Sequence, residues 1–495
     1  ELIEGRISLY DEEGQPCVLV DGFRAISMAA ARRAGGSGGV RDLLYHVDWE
    51  RSASSVNLGK TAPVPLKNML AAATETLEQV LAVRGQAKLE AVLTAEDELA
   101  AAQVAQGLKK MGVLENAKAG FDADSLGVAA PMRKVFARLA AKLAARGLLT
   151  AIAGKYKVTK TFEAAADSAS ELLRKFISEH PGHLPEGQLC AFTCAELGPI
   201  LRGEKDAVQI LFSGAGAELL DQFYGDGLLS SHWMAAITRA VQEAARQLPE
   251  GRGLRILEVG AGTAGLAAQL LPLLERGVHS YTFTDVSAGF FPGANQKLAA
   301  FPEVECKIFD LEKPVIDQGF QPADYDFIVG TNVLHAVADV RSALTSLHQL
   351  LKPGGTLMFV DVANPQFWTE AVFGLTSGWW HLTDHDLRPE QPLLQRAQWE
   401  AVLREVGFAE TCSIPGIHTP EGEGQIAVLA RKAEAEAADE PTVSEEETPV
   451  EASWVVFADE SGLGEQMASR VTAAGGRCRV IRKGKTLSKG KGDQF

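Results

Sequence analysis

Gly260, Gly262 and Gly265 follow directly on the apolar run Ile256 to Val259 and lead into the helical pattern of Leu266 to Leu274. A strand, a tight turn and a helix in that order let a ligand approach the backbone where a Cβ would fill its space, so a nucleotide-like cofactor is the natural guest. The run also fits the G-x-G-x-x-G fingerprint of dinucleotide-binding proteins, and its surroundings must decide between the two. Glu258, at the end of that strand, is placed to meet a cationic or amino-bearing ligand. Asp285 closes a second apolar run, about 20 residues beyond the glycines, the separation at which a second strand tip meets a ribose diol. Asp310 and Leu311 follow a third run and suit an adenine amino group and its flat face. A fourth run, Tyr325 to Gly330, leads through Thr331-Asn-Val-Leu to His335, a side chain of the type that can accept a proton. The fifth, Thr356 to Val360, is entered through Lys352-Pro-Gly-Gly355 and stops at Asp361.

Polar groups at successive strand ends make one chemical rim along the carboxyl edge of a parallel sheet, where open α/β sheets bind ligands. The simpler alternative is that these acids only cap helices. The pattern resembles the class I methyltransferase fold, in which Glu-x-Gly-x-Gly, here Glu258 to Gly262, and Lys-Pro-Gly-Gly recur. The expected fold is therefore α/β, a Rossmann-like sheet of the class I methyltransferase type. The implied cofactor is S-adenosyl-L-methionine, held by Glu258, Gly260, Gly262, Gly265, Asp285, Asp310, Leu311 and Asn332.

At 495 residues the chain is too long for one core and suggests two to four domains. A hydrophobic fraction of 46% is that of a soluble globular protein, and no apolar run reaches membrane-spanning length. A net charge of −16 argues against a nucleic-acid partner, because phosphate neutralisation needs a basic face. No basic and apolar leader indicates secretion. The scattered cysteines, of which only Cys190 and Cys194 are close, read as reduced thiols of a cytoplasmic protein with no metal site.

Residues 66–249 read as mostly helical, interrupted at Pro181, Pro185 and a loop around Gly214 and Gly216, with Phe136 to Gly147 an amphipathic helix stopped by glycine. This stretch is expected to be a lid over the open edge of a cofactor domain at residues 250–431. Within it, Leu201-Arg-Gly-Glu204 with Leu211-Phe212, and Phe223-Tyr224, are similar to the lead-in of C-methyltransferase domains of type I polyketide synthases. The likeness continues through Gly374 to Trp380, Arg388-Pro389, Pro392 to Leu394 and Trp399. Trp379 and Trp380 read equally well as core or as the apolar wall of a substrate chamber.

The ends of the chain resemble neighbouring parts of such synthases. Residues 1–34 look like the closing hairpin of a dehydratase without its catalytic parts. Residues 43–60 carry a strand, Leu43 to Trp49, similar to one that joins a ketoreductase structural subdomain. Residues 432–450 form an acidic linker, and residues 451–495 resemble the opening of that subdomain, so the two chain ends are expected to form a small split α/β fragment that clasps the methyltransferase.

Methyl transfer from a sulfonium requires near-attack geometry and removal of a proton from the nucleophile. His335 is the candidate base. In the class I fold the fifth strand neighbours the fourth, so Asp361 is expected to orient the imidazole and stabilise its protonated form. The resemblance implies a His and Glu dyad, with the shorter Asp361 in the second place. Asn332 or Tyr224 is expected to hold an oxyanion. The expected reaction is methylation of the α-carbon of a β-ketoacyl thioester on the phosphopantetheine of an acyl carrier protein, beside other synthase domains. Methylation of a β-hydroxyl and an inactive scaffold role are the alternatives.

Overall fold

The computed structural model describes residues 65–434 with short internal gaps, the strands Leu2–Tyr10, Pro16–Ile26, Ser453–Ala458 and Arg477–Arg482, and a few helical residues within 468–472. Its central sheet has seven strands: β1 (Leu254–Val259), β2 (Val278–Asp285), β3 (Val304–Ile308), β4 (Tyr325–Thr331), β5 (Leu351–Val362), β6 (Phe408–Ile414) and β7 (Gln425–Lys432). Their spatial order is β6-β7-β5-β4-β1-β2-β3. The five strands from β3 to β5 run parallel, and β7 is antiparallel to both of its neighbours. Chain order reverses at β1, with β2 on one side and β4 on the other, so a crevice opens at the carboxyl ends of β1 and β4. The Lys352-Pro-Gly-Gly355 run lies inside β5, whose pairing with β4 skips from Leu351 to Thr356.

The central strands are buried on both faces, which is why they read as apolar runs without alternation. One face is covered by the helices Val340–Leu350 and Arg396–Val406, which bury Leu344, Leu347, Trp399 and Leu403. Asp339 caps the first by accepting from the Ser342 amide, and Gly407, at φ 106°, stops the second. The opposite face is covered by the helices Leu66–Arg84 and Leu228–Arg246. Here the structure departs from the expected boundary, which placed both with the lid. Leu66, Met69, Ala73 and Leu77 recur at helical spacing and pack with Trp233, Ile237 and Val241 into the same core as Ile256, Tyr281 and Met358 of the sheet.

The lid proper runs between those two helices. The helices Gln86–Lys110, Arg133–Ala145, Phe162–Glu179 and Leu184–Ala195 enclose Val104, Leu108, Phe121, Phe136 and Leu189, beside a hairpin of Leu149–Ile152 with Lys155–Val158. Gly214 and Gly216 do not form the expected loop. They begin the helix Gly214–Gly225, and a Cβ on Gly216 would lie 2.1 Å from the Ile210 carbonyl oxygen, so glycine permits the close crossing.

The segment after β5 belongs partly to the lid, since Phe367, Trp368, Ala371 and Val372 complete its core. Buried charges fix that junction. Asp97 accepts from the amides of Phe367 (2.7 Å) and Trp368 (3.3 Å) and pairs with Arg146 at 2.9 Å, while Glu370 pairs with Arg138. The lid is thereby tied to the chain that leaves the carboxyl edge of the sheet.

Residues 1–434 and 435–495 are separate compact units. In the second, Ser453–Ala458 pairs in parallel with Arg477–Arg482. In the first, Leu2–Tyr10 and Pro16–Ile26 form an antiparallel hairpin. The strand at 43–49 expected to join the two ends, and nearly all of the acidic linker, lie outside the described residues.

Candidate active site

The turn after β1 is built by three glycines with different duties. Gly260 (φ 58°) sits against the β4 loop, where a Cβ would meet Val333 Cγ2 at 2.4 Å. A Cβ on Gly265 would lie 2.9 Å from the Tyr224 carbonyl oxygen and 3.1 Å from Met234 Cε. Only at Gly262 (φ 49°) is there room, its nearest neighbour being the Gly260 oxygen at 4.0 Å. Gly260 and Gly265 permit close protein packing, and Gly262 leaves an open cradle.

Asp285 closes β2 and holds that cradle. Its Oδ2 accepts from the Gly262 amide at 3.1 Å and its Oδ1 from Ser287 at 2.9 Å, leaving further lone pairs on the same carboxylate. Glu258 is 2% exposed and accepts from the Tyr281 hydroxyl at 2.7 Å. Burial pushes its pKa up to about 8; the Tyr281 hydrogen bond pulls it down, and the charge of Asp285 raises it further. A buried carboxyl at the strand tip, an acid anchored on the glycine turn and an open cradle at Gly262 fit an amino acid joined to a nucleoside.

Beyond the tip of β3 come Asp310 and Leu311. Asp310 accepts from the Glu312 amide at 3.0 Å and pairs with Lys313 at 3.0 Å. Burial opposes these contacts, but they hold its carboxyl below the usual range. Leu311 packs into the sheet core with Phe309, Val315 and Phe320, so little of its surface remains for an adenine face.

His335 stands on a 3-10 turn after β4, and Asp361, fully buried, sits near the end of β5. The ring Nδ1 of His335 meets Asp361 Oδ1, its backbone amide donates to Asp361 Oδ2 at 3.0 Å, and the Val362 amide donates to Oδ1 at 2.8 Å. The shorter acid therefore reaches its histidine. With Nδ1 taken, Nε2 is the ring atom left for a substrate.

A cavity of about 390 Å³ opens on His335, and Tyr224, Asn332, Trp368, Phe373 and Trp379 are among its walls. Burial, with the Asp361 charge adding, pushes the Tyr224 phenol above its ordinary value, so it remains a hydrogen-bond donor at neutral pH. Asn332 (φ 54°) donates its backbone amide to Val360, and its Oδ1 accepts from Gln425 Nε2 at 2.9 Å, which leaves its Nδ2 as donor. The two tryptophans divide their roles. Trp379 lines the cavity with its ring centroid 5.3 Å from that of His335. Trp380 donates to the Gly374 carbonyl and lies under Lys134 and Arg138.

The structure thus gathers Tyr224, Asn332 and His335 on one cavity, with Asp361 behind it, and Glu258, Gly262 and Asp285 at the neighbouring strand tips. Arg388 is a residue to which the sequence reading gave no role. It is 1% exposed, and all its donors are used: Nε to Asp384 at 2.8 Å, and the two terminal nitrogens to the carbonyls of His335 (2.9 Å), Pro392 (3.4 Å), Val337 (2.8 Å) and Ala338 (2.9 Å). It locks the loop that carries the histidine. The Asp384 to Arg388 spacing is visible in the sequence, but nothing there shows which carbonyls the guanidinium will meet.

Among the described residues, one cluster brings metal-ligand types together: Glu96, His183 and Glu186, buried in the lid. None of the three lines the cavity. His183 Nδ1 lies 3.0 Å from Glu96 and 3.6 Å from Glu186. Burial lowers the His183 pKa, but the two carboxylates push it up to about 9, while burial raises Glu96 to about 7. Cys190 and Cys194 are free thiols with sulfurs 4.0 Å apart.

Residues 257–357 match the family model described as a methyltransferase domain. The crystal structure of the CurJ carbon methyltransferase is 29% identical, with a TM-score of 0.67, over 75% of this chain and 100% of that one. The carbon-methyltransferase domain of the citrinin polyketide synthase has the same fold at 23% identity, with a TM-score of 0.67, over 76% and 100%. The non-reducing polyketide synthase azaA of Aspergillus niger is 31% identical over 279 residues, which is 55% of this chain and 10% of that protein. The chain spans about a tenth of the length of the curated relatives it matches. Fold and site together define a class I methyltransferase that uses S-adenosylmethionine. The chain carries a methyltransferase domain similar to parts of polyketide synthases, and solved domains that it resembles are carbon methyltransferases. None of its described helices is long and apolar enough to cross a membrane.

Proposed function

We propose that the domain methylates the α-carbon of a β-ketoacyl thioester carried on the phosphopantetheine of an acyl carrier protein, in a cytoplasmic synthase. The observation that carries this reading is the double grip of Asp361 on His335, which leaves Nε2 as the acceptor atom at a largely apolar cavity. Glu258, Gly262 and Asp285 would hold the cofactor, whose sulfonium supplies an electrophilic methyl group when bound.

His335 Nε2 takes the α-proton, and the C–H electron pair becomes that of an enolate. The resulting imidazolium is stabilised by Asp361, which already accepts from Nδ1 and stays in place through two backbone amides. Tyr224 and Asn332 present a phenol and an amide N–H to the same cavity and stabilise the enolate oxygen. Aromatic walls and the lid keep water from the basic carbon.

The test is mass spectrometry of the protein incubated with the cofactor and either a β-ketoacyl or a β-hydroxyacyl carrier, with α-proton exchange followed in deuterated water without cofactor. Carbon methylation gives a methylated β-ketoacyl product and exchange that depends on His335. A methyl ether from the hydroxyacyl carrier without exchange identifies oxygen as the acceptor, and no methyl transfer to either identifies a scaffold.

A further inference from the structure

The buried cluster in the lid holds more acceptor atoms than its one histidine can serve. Glu96 comes from the helix Gln86–Lys110, His183 closes the 3-10 turn Pro181–His183, and Glu186 lies in the first turn of the helix Leu184–Ala195. They are 2%, 4% and 1% exposed. His183 Nδ1 is 3.0 Å from Glu96 Oε1, so an N–H on that nitrogen is spent there. Glu96 Oε2 and both oxygens of Glu186 are then left buried without a hydrogen-bond partner. An ion pair of the three residues therefore satisfies one carboxylate oxygen of four, and buried oxygens in that state are costly. A divalent cation answers all of them. It balances the two carboxylates and leaves the imidazole neutral, with a lone pair to donate.

The geometry agrees with that chemistry. Nδ1 stands 3.0 Å from Glu96 Oε1 and 3.6 Å from Glu186 Oε1, and one ligand atom from each residue lies within 4.8 Å of the others. Around a tetrahedral zinc ion with bonds of about 2.0–2.1 Å, neighbouring ligand atoms are about 3.3–3.4 Å apart, a value that the two measured separations bracket. We infer that Glu96, His183 and Glu186 bind one divalent transition-metal ion, zinc in the first place, as a staple between two helices of the lid. Nδ1 and one oxygen of each glutamate make the first contacts, and the remaining carboxylate oxygens complete the coordination. One imidazole with carboxylates suits such an ion. The staple fastens the helix Gln86–Lys110 at the residue beside Asp97, whose carboxylate accepts from the Phe367 and Trp368 amides. This inference stands apart from the proposed reaction, since none of the three residues lines the cavity.

The experiment is native mass spectrometry with elemental analysis of the full chain, purified from zinc-supplemented culture and dialysed briefly against EDTA to strip surface ions. One zinc ion per chain is expected in the parent. Occupancy is expected to fall roughly tenfold or more in Glu186→Gln, which keeps the shape of the side chain and removes its charge, and in His183→Gln. Parent protein refolded from denaturant with zinc should melt at a higher temperature than the same protein refolded with EDTA, whereas the two preparations of Glu186→Gln should melt together. Affinity for S-adenosylmethionine verifies that each variant is folded. Where a variant does not fold, the occupancy and the zinc-dependent melting of the parent decide. Another divalent metal in the same stoichiometry, lost in the same variants, also supports the site. A parent that carries no metal from culture and gains none on refolding with zinc overturns the inference, and the three residues are then an ion pair alone. Zinc retained equally by parent and variants overturns it too, as an adventitious ion only.

Discussion

Asp361 holds His335 at two points, by the ring nitrogen and by the backbone amide of the same residue. One carboxylate on β5 therefore sets both the rotamer of the imidazole and the height of its loop above the sheet edge. His335→Ala is expected to reduce methyl transfer roughly 100- to 10,000-fold, with cofactor affinity unchanged in calorimetry because the proposed mechanism gives the imidazole no contact with the cofactor. Asp361→Asn keeps the shape but cannot stabilise an imidazolium, so single-turnover rates should fall with it. An asparagine variant as fast as the parent removes the dyad from the mechanism.

Arg388 fastens the same loop, with five donors on four carbonyls and Asp384. Arg388→Met strands a buried carboxylate and should destabilise the protein by about 3–5 kcal/mol in denaturant titrations. Arg388→Lys restores the charge with fewer donors. It should recover part of the stability while kcat for methyl transfer stays low and cofactor affinity remains normal. Full activity in the lysine variant would mean that the loop is set without the guanidinium fork.

Strand tips were readable in the sequence because chemistry interrupts an apolar run there, as at Glu258, Asp285 and Asp361. The meeting of His335 and Asp361 was readable only because adjacent parallel strands in that fold bring their tips together. Asp310 also serves its own turn, through the Glu312 amide, and Leu311 joins the core, contacts that the sequence does not show. Arg388 acts through the distant carbonyls of His335, Val337 and Ala338, and Trp379 looks no different from Trp380 until the cavity exists. The helix at Leu66 was assigned to the wrong layer because its apolar stripe says that it is buried, not against what.

The glycine turn separates packing from ligand clearance. Gly260→Ala collides with Val333 and should lower the thermal midpoint, with partial recovery in the Gly260→Ala, Val333→Ala double variant. At Gly262 there is no collision, so Gly262→Ala should cost only the strain of a left-handed backbone, about 1–2 kcal/mol, yet weaken cofactor binding severely. Normal cofactor affinity in Gly262→Ala would show that the cradle does not face the ligand.

Glu258 gives the cofactor site a pH dependence whose sign can be worked out. Its pKa rises from 4.5 to about 8 on folding, chiefly through burial, with Tyr281 and Asp285 as the polar groups that face it. A group raised in this way contributes stability that is fully present below pH 4.5 and is lost as pH rises through about 8. The ligand-free protein therefore holds Glu258 protonated at neutral pH. An ammonium group brought beside it favours the carboxylate, so binding should expel a proton, and affinity for S-adenosylmethionine should increase from pH 6 towards pH 7.5. Calorimetry at pH 7 in buffers of different ionisation enthalpy should detect that proton in the parent protein and not in Glu258→Gln, whose affinity should be weaker and nearly independent of pH. A parent protein that binds without proton release across this range has its Glu258 ionised before the cofactor arrives, or out of reach of its amino group.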